Sequence, residues 1–130
     1  MKRLSVLLVV AACIGAMLQM SAQSQTATEF YKTYRAAYAK ARSFQDVASF
    51  HAKEVADAVA KTPPDQVKTM WDTAKERDPK DVKVVKETTT ATGATLELSG
   101  VGADKKPLTG TAQLVKEAGA WKLLAEFWKL

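Results

Sequence analysis

Two hydrophobic periods divide the chain. From Thr28 to Arg42, apolar residues recur at Phe30, Tyr34, Ala37, Tyr38 and Ala41, the three-and-four spacing of one helix face. Lys32, Arg35 and Lys40 fall elsewhere on that helix, and Thr28 is its expected cap. Ser43, with Asp46 three residues on, approximates a capping box and opens a second helix. Its stripe is Phe44, Val47, Ala48, His51, Val55, Ala58 and Val59, which places the histidine among core positions. Thr62-Pro63-Pro64-Asp65 starts a third, shorter helix, because proline's missing N–H costs least in a first turn and an acid suits the positive helix end. That helix is expected to bury Val67, Met70, Trp71 and Ala74.

After the charged connector Lys75–Lys80, closed by Asp78-Pro79, the period becomes two. Val82 and Val84 alternate with Lys83; Ala94, Leu96 and Leu98 with Thr95, Glu97 and Ser99; Ala112 and Leu114 with Thr111 and Gln113. Turn signals at Thr92-Gly93, Gly102 to Pro107 and Glu117-Ala118-Gly119 separate the runs. The last segment fits either period. As a strand it turns Trp121, Leu123, Ala125 and Phe127 inward and Lys122 and Glu126 outward, with Leu124 and Trp128 as misfits. As a helix it joins Trp121, Leu124, Ala125 and Trp128 on one face. The strand is preferred, because a glycine hairpin turn precedes it and a fourth strand covers an otherwise unpaired edge. The pattern therefore predicts an α+β fold: three N-terminal helices packed on one face of a curved antiparallel four-stranded meander sheet.

The first residues read as an address. Met1-Lys2-Arg3 is positive, Leu4 to Met20 is almost unbroken apolar, and Ser21-Ala22-Gln23-Ser24 supplies the small residues of a cleavage site. Residues 1–22 are expected to be a signal peptide, with cleavage after Ala22 or Ser24, and the product periplasmic or extracellular. An uncleaved leader acting as an anchor is one alternative, although the run is at the short limit for a bilayer span. A second is a lipid-anchored envelope form, since Val10-Ala11-Ala12-Cys13 resembles the lipobox of bacterial lipoproteins and makes Cys13 the lipidation candidate. Cys13 is the only cysteine of the 130 residues, so the exported domain has no disulfide and its hydrophobic core must hold it together. The net charge of +5 falls to +3 once Lys2 and Arg3 leave with the leader, which is too mild and too evenly scattered to argue for a nucleic-acid partner.

The stretch from Gly110 to Leu123, with Val115-Lys116-Glu117 turning through Gly119 into Trp121-Lys122-Leu123, resembles the closing hairpin of the nuclear transport factor 2-like superfamily. The resemblance covers residues 26–130, and in length and leader the chain is similar to small secreted bacterial members of unestablished function. It implies a cone, with the sheet curved around the first helix and an interior that is filled or hollow. It also implies isomerases, dehydratases, cyclases, adaptors and binding modules alike, so it does not fix a function.

Candidate chemistry is sparse. The inward strand positions read as Val82, Val84, Leu96, Leu98, Ala112, Leu114, Leu123 and Ala125, none of which can move a proton. His51 is the only histidine; Glu54 lies one turn on and Asp57 on another face, so no metal set forms and no cofactor is expected. The serines lack a nucleophile elbow, and Gly100-Val101-Gly102 lacks the third glycine of a nucleotide loop. A pocket, where present, is expected to be lined by Tyr34, Tyr38, His51, Trp71 and Trp121 and to suit a small apolar ligand. On the outer sheet face, Val85, Val115, Leu124 and Trp128 interrupt the polar pattern and are the interface candidates for a homodimer. The expected function is an exported, non-catalytic binding or protein-interaction module. The alternatives are a cofactor-free isomerase or lyase on a hydrophobic carbonyl compound, with His51 as base and Tyr34 or Tyr38 as electrophile, and a structural envelope lipoprotein.

Overall fold

The computed structural model describes residues 25–129; the expected signal peptide and Cys13 lie outside the described residues. The chain runs through helix α1 (Ala27–Lys40), a 3₁₀ segment (Phe44–Phe50), helix α2 (Lys53–Ala60) and helix α3 (Pro64–Glu76). Strands β1 (Lys80–Thr89), β2 (Gly93–Val101), β3 (Pro107–Glu117) and β4 (Ala120–Lys129) follow. They form one antiparallel sheet in the order β1-β2-β3-β4, so the fold is α+β with a four-stranded meander and four helical segments rather than three. The ambiguous last segment is extended and pairs with β3 along its length.

α1 lies across one face of the sheet because its apolar stripe is wide. Phe30, Tyr34 and Tyr38 are buried as the spacing predicts, and Tyr31, one position off the stripe, is buried more completely than any of them. They meet Leu96, Leu98, Ala112, Leu114, Trp121 and Leu123 from the sheet. The cap is Thr26, not Thr28: Thr26 Oγ1 accepts the Glu29 N–H at 3.0 Å, and Glu29 Oε2 accepts the Thr26 N–H at 3.3 Å. Thr28 instead ties the helix to β1, its N–H and hydroxyl both donating to Glu87 Oε1 at 2.7 and 2.8 Å. Those bonds hold the Glu87 carboxyl below the usual range.

The single helix expected from Ser43 to Val59 is broken in two. His51 and Ala52 are extended, with ψ of 149° and 151°. They pair with the edge of β4: the Ala52 N–H donates to Leu123 O at 2.8 Å, and His51 bridges Leu123. A strand edge offers unpaired carbonyls, and this segment covers some of them at the cost of one helical turn. The Ser43 side chain makes no capping bond. Asp46 Oδ2 accepts the Arg42 N–H at 2.8 Å instead, and Glu117 from β3 accepts the Lys53 N–H at the start of α2.

α2 and α3 contain no buried residue, so Val67, Met70, Trp71 and Ala74 are not sealed into the core as expected. Met70 is an exposed large hydrophobe. Both helices stand off the sheet and leave a hollow beneath their apolar faces. Thr62 does not cap α3; its hydroxyl donates back to Ala58 O at 2.8 Å.

The faces of β4 differ from strict alternation. Gln113 pairs with Ala125 but Leu114 pairs with Leu123, so Leu124 is a bulged extra residue. Beyond it the side chains exchange faces: Glu126 pairs with buried Ala112, Trp128 packs against the core cluster, and Phe127 is 61% exposed. The expected inward Phe127 and outward Glu126 are therefore reversed. Val85 is a second bulged residue, between the Val84–Leu98 and Lys86–Glu97 pairs, and is also exposed.

Candidate functional site

Between the C-terminal half of α1, the underside of α3 and the β3–β4 end of the sheet lies a cavity of about 490 Å³. Its apolar wall is Phe44, Val59, Val67, Met70, Trp71, Ala74 and Leu108. Its other wall is polar and aromatic: Tyr34, Arg35, Tyr38, His51, Asp78, Glu126 and Trp128. The expectation that no inward strand position can move a proton is thus wrong at this end, because the β4 bulge turns Glu126 inward, where Arg35 of α1 meets it.

Arg35 holds the charged end together. Its Nη1 and Nη2 donate to the two Asp78 carboxylate oxygens at 2.9 and 3.0 Å, Nη2 also donates to Pro79 O at 3.3 Å, and Nη1 lies 3.5 Å from Glu126 Oε1. Burial works against the guanidinium charge, but the Asp78 hydrogen bonds and both carboxylates outweigh it and its pKa moves up. Glu126 Oε1 accepts two further bonds, from the Tyr31 hydroxyl and from Trp128 Nε1, each at 2.9 Å. All of these contacts fall on Oε1.

Three neighbouring groups are not committed. Tyr34 and Tyr38 are only 4% and 7% exposed, yet neither hydroxyl bonds to a protein group among the described residues. Among the described residues no fully buried side-chain nitrogen or oxygen lacks a partner, so what exposure these residues keep includes their oxygens, where they border the cavity. Burial and then the carboxylates, Glu126 for Tyr34 and Asp78 for Tyr38, push both phenols up, Tyr38 to about 12. Both remain protonated donors at neutral pH. His51 Nδ1 lies 3.0 Å from Val47 O, an acceptor only, so Nδ1 carries the hydrogen and Nε2 is left as an acceptor. Burial lowers the imidazole pKa, against the smaller opposing pulls of the Val47 carbonyl and Glu126, and the ring stays neutral. It stands edge-on to Tyr34 with centroids 5.5 Å apart and 4.8 Å from Phe44.

α3 is latched over this site. Lys75 Nζ donates to Tyr38 O at 2.7 Å, at the negative end of α1, and lies 4.3 Å over the Tyr38 ring. Trp71 meets Tyr38 edge-on at 5.2 Å. A second cavity of about 620 Å³ lies beneath α2 and α3 and shares Phe44, Val59, Thr62, Val67 and Trp71 with the first.

Of the five lining residues expected from the sequence, Tyr34, Tyr38, His51 and Trp71 come together. Trp121 does not: its Nε1 donates to Gln25 O at 3.1 Å, and its ring borders a separate depression under Lys116. Of the four interface candidates, Val85 is exposed, Val115 and Leu124 are half-buried, and Trp128 lines the cavity on the inner face. Arg35, Asp78 and Glu126 were not anticipated: Arg35 lies off the apolar stripe, Asp78 looks like connector, and Glu126 has outward parity. Among the described residues no group of three His, Cys, Asp or Glu is placed to hold a metal, and no helix is long and apolar enough to cross a membrane.

No family model and no curated protein matches the chain. A solved structure does: the solution structure of a SEC-C motif containing protein from Rhodopseudomonas palustris. It is 17% identical, with a TM-score of 0.60 over 89% of this chain and 88% of that one, which shows a shared fold and no more. This match corrects the nuclear transport factor 2-like assignment, because the structural relative is a SEC-C motif protein. The physical reason lies in the segment that suggested it. Ala118 and Gly119, at φ of 51° and 79°, form a two-residue turn between alternating strands, and any tight antiparallel hairpin can use that chemistry.

Proposed function

We propose that this protein is a non-catalytic module that binds a small, largely apolar molecule in the cavity under α3. The observation that carries this is a pair of phenols whose rings are buried while their hydroxyls, unbonded to protein among the described residues, open onto an aromatic and aliphatic hollow. Hydroxyls that reach a cavity in this way are completed by water or by a ligand, and a ligand that matches them gains the hydrogen bonds while burying apolar surface against the rest of the wall. The volume falls in the range of small-molecule sites, and the wall has their usual makeup of apolar surface with a few convergent polar groups. Export through residues 1–22 remains part of this reading.

A fluorescence titration with the neutral apolar probe N-phenyl-1-naphthylamine tests it, with Trp71 and Trp128 in the wall as energy donors. Saturable binding is expected, and Val67→Trp, which adds bulk where both cavities meet, should abolish it. A probe that does not saturate, or that binds Val67→Trp as well as wild type, refutes the proposal. A catalytic reading, with His51 as base and Tyr34 or Tyr38 polarising a carbonyl, draws on the free Nε2. It stands second because Glu126, the carboxylate facing these groups, is tied through Oε1 to Tyr31, Trp128 and Arg35 in a structural network.

A further inference from the structure

We propose that the bound molecule presents an uncharged alcohol to the aromatic end of the cavity, recognised by Tyr34, Tyr38 and His51. This rests on the binding reading above and adds the chemical class of the ligand's head group.

The inference follows from what is unspent there. The two phenols offer donors, and His51 Nε2 offers an acceptor, because Nδ1 is occupied by Val47 O. A hydroxyl is the simplest group that matches both, accepting from a phenol through its oxygen and donating its own hydrogen to the imidazole. A ketone satisfies the phenols and leaves Nε2 bare, which a site built to hydrogen-bond both ways penalises.

Charged heads fit poorly. The Arg35 guanidinium is taken up by Asp78, Pro79 O and Glu126, so a ligand carboxylate gains it only by breaking a bidentate pair and then lies beside two protein carboxylates. Arg77 also borders the cavity, but it is exposed, so solvent screens any pair it would make with a ligand carboxylate. A cationic head meets Arg35 at 5.3 Å and Lys75 at 4.3 Å from the Tyr38 ring, the aromatic surface it would need.

Displacement of the naphthylamine probe by a matched series, 1-octanol, 2-octanone, octanoate and octyltrimethylammonium, tests this at pH 7.5 on the full domain. 1-Octanol is expected to bind about three- to tenfold more tightly than 2-octanone, the range of one added hydrogen bond, with the two ions weakest. His51→Phe should remove the advantage of octanol over octanone, read as the ratio of the two displacement constants within that variant. The Tyr34→Phe, Tyr38→Phe double variant should weaken both uncharged ligands together. The inference is overturned if either ion binds tightest, if alcohol and ketone bind wild type equally, or if octanol fails to displace bound probe. In each of these the binding reading survives, whereas a probe that never binds overturns the binding reading itself. Should His51→Phe fail to fold, the ranking in wild type still decides.

Discussion

Replacing Glu126 with leucine distinguishes an inward carboxylate from the surface residue that strand alternation predicts. On a solvent-facing strand position such a change alters stability by less than about 0.5 kcal/mol. In the structure, Glu126 Oε1 is the acceptor for the Tyr31 hydroxyl at 2.9 Å, and Tyr31 is 1% exposed. Water cannot reach that hydroxyl without opening the core, so its orphaning costs about 1–3 kcal/mol. Trp128 Nε1 also loses its acceptor, but Trp128 is only partly buried and can rehydrate. The Arg35 pair, at 3.5 Å with side chains 17% and 16% exposed, adds at most about 1 kcal/mol. Glu126→Leu is therefore expected to cost about 1–4 kcal/mol in urea denaturation followed by tryptophan fluorescence. Tyr31→Phe removes the donor rather than the acceptor and leaves Glu126 its other partners, at about 1 kcal/mol. The double variant should be less damaged than the two single losses combined, by about 1–2 kcal/mol, because the orphaned hydroxyl is no longer there. A leucine variant as stable as wild type, or a cycle that is additive within about 0.3 kcal/mol, refutes the inward placement.

Two further outcomes follow from the same region. Gly110→Ala places a Cβ 2.7 Å from Phe127 O and 2.7–2.8 Å from the Trp128 ring, an overpacking expected to cost about 1–3 kcal/mol and to shift the Trp128 emission; an unchanged melting temperature and spectrum contradict it. For His51, burial holds the folded-state pKa below its ordinary 6.5, so as pH falls through 6.5 the unfolded chain takes up the proton first and stability declines. NMR titration of the ring should give a midpoint below 6.5, and His51→Gln should flatten the acid-side slope of stability; a midpoint at or above 6.5 refutes both the burial and the free Nε2.

The strands were legible because their signals are local. Alternation assigned Ala94, Leu96, Leu98, Ala112 and Leu114 to the core face, where they are buried, and the glycine-bearing turns separated the runs. What failed depends on partners distant in sequence. Nothing near Ser43 announces that Ala52 will hydrogen-bond to the Leu123 carbonyl, so the helical period runs straight through the break. The cap is a different case: Glu29, three residues after Thr26, completes a local capping box, while distant Glu87 takes up Thr28. Of the site, the aromatic members were readable from the α1 stripe, whereas the charged members depend on a register that alternation alone does not contain.

That register turns on Leu124. Counting inward from Trp121 and Leu123, unbroken alternation reaches Ala125 and Phe127, leaving Tyr31 without an acceptor and Arg35 opposite an alanine. One unpaired residue moves every later side chain of β4 to the other face. The exchange exposes Phe127, a real hydrophobic loss, but delivers a carboxylate to Tyr31 and Arg35 and an indole to the space over Gly110. Gly110 is the counterpart that permits this, since a side chain there would occupy the volume the Trp128 ring needs. The clue in the sequence is that Trp128 breaks the alternation downstream of another misfit, Leu124: a single extra residue at 124 restores Trp128 to the inner face. The residue that defeats the simple pattern is thus the one that builds the polar wall of the cavity.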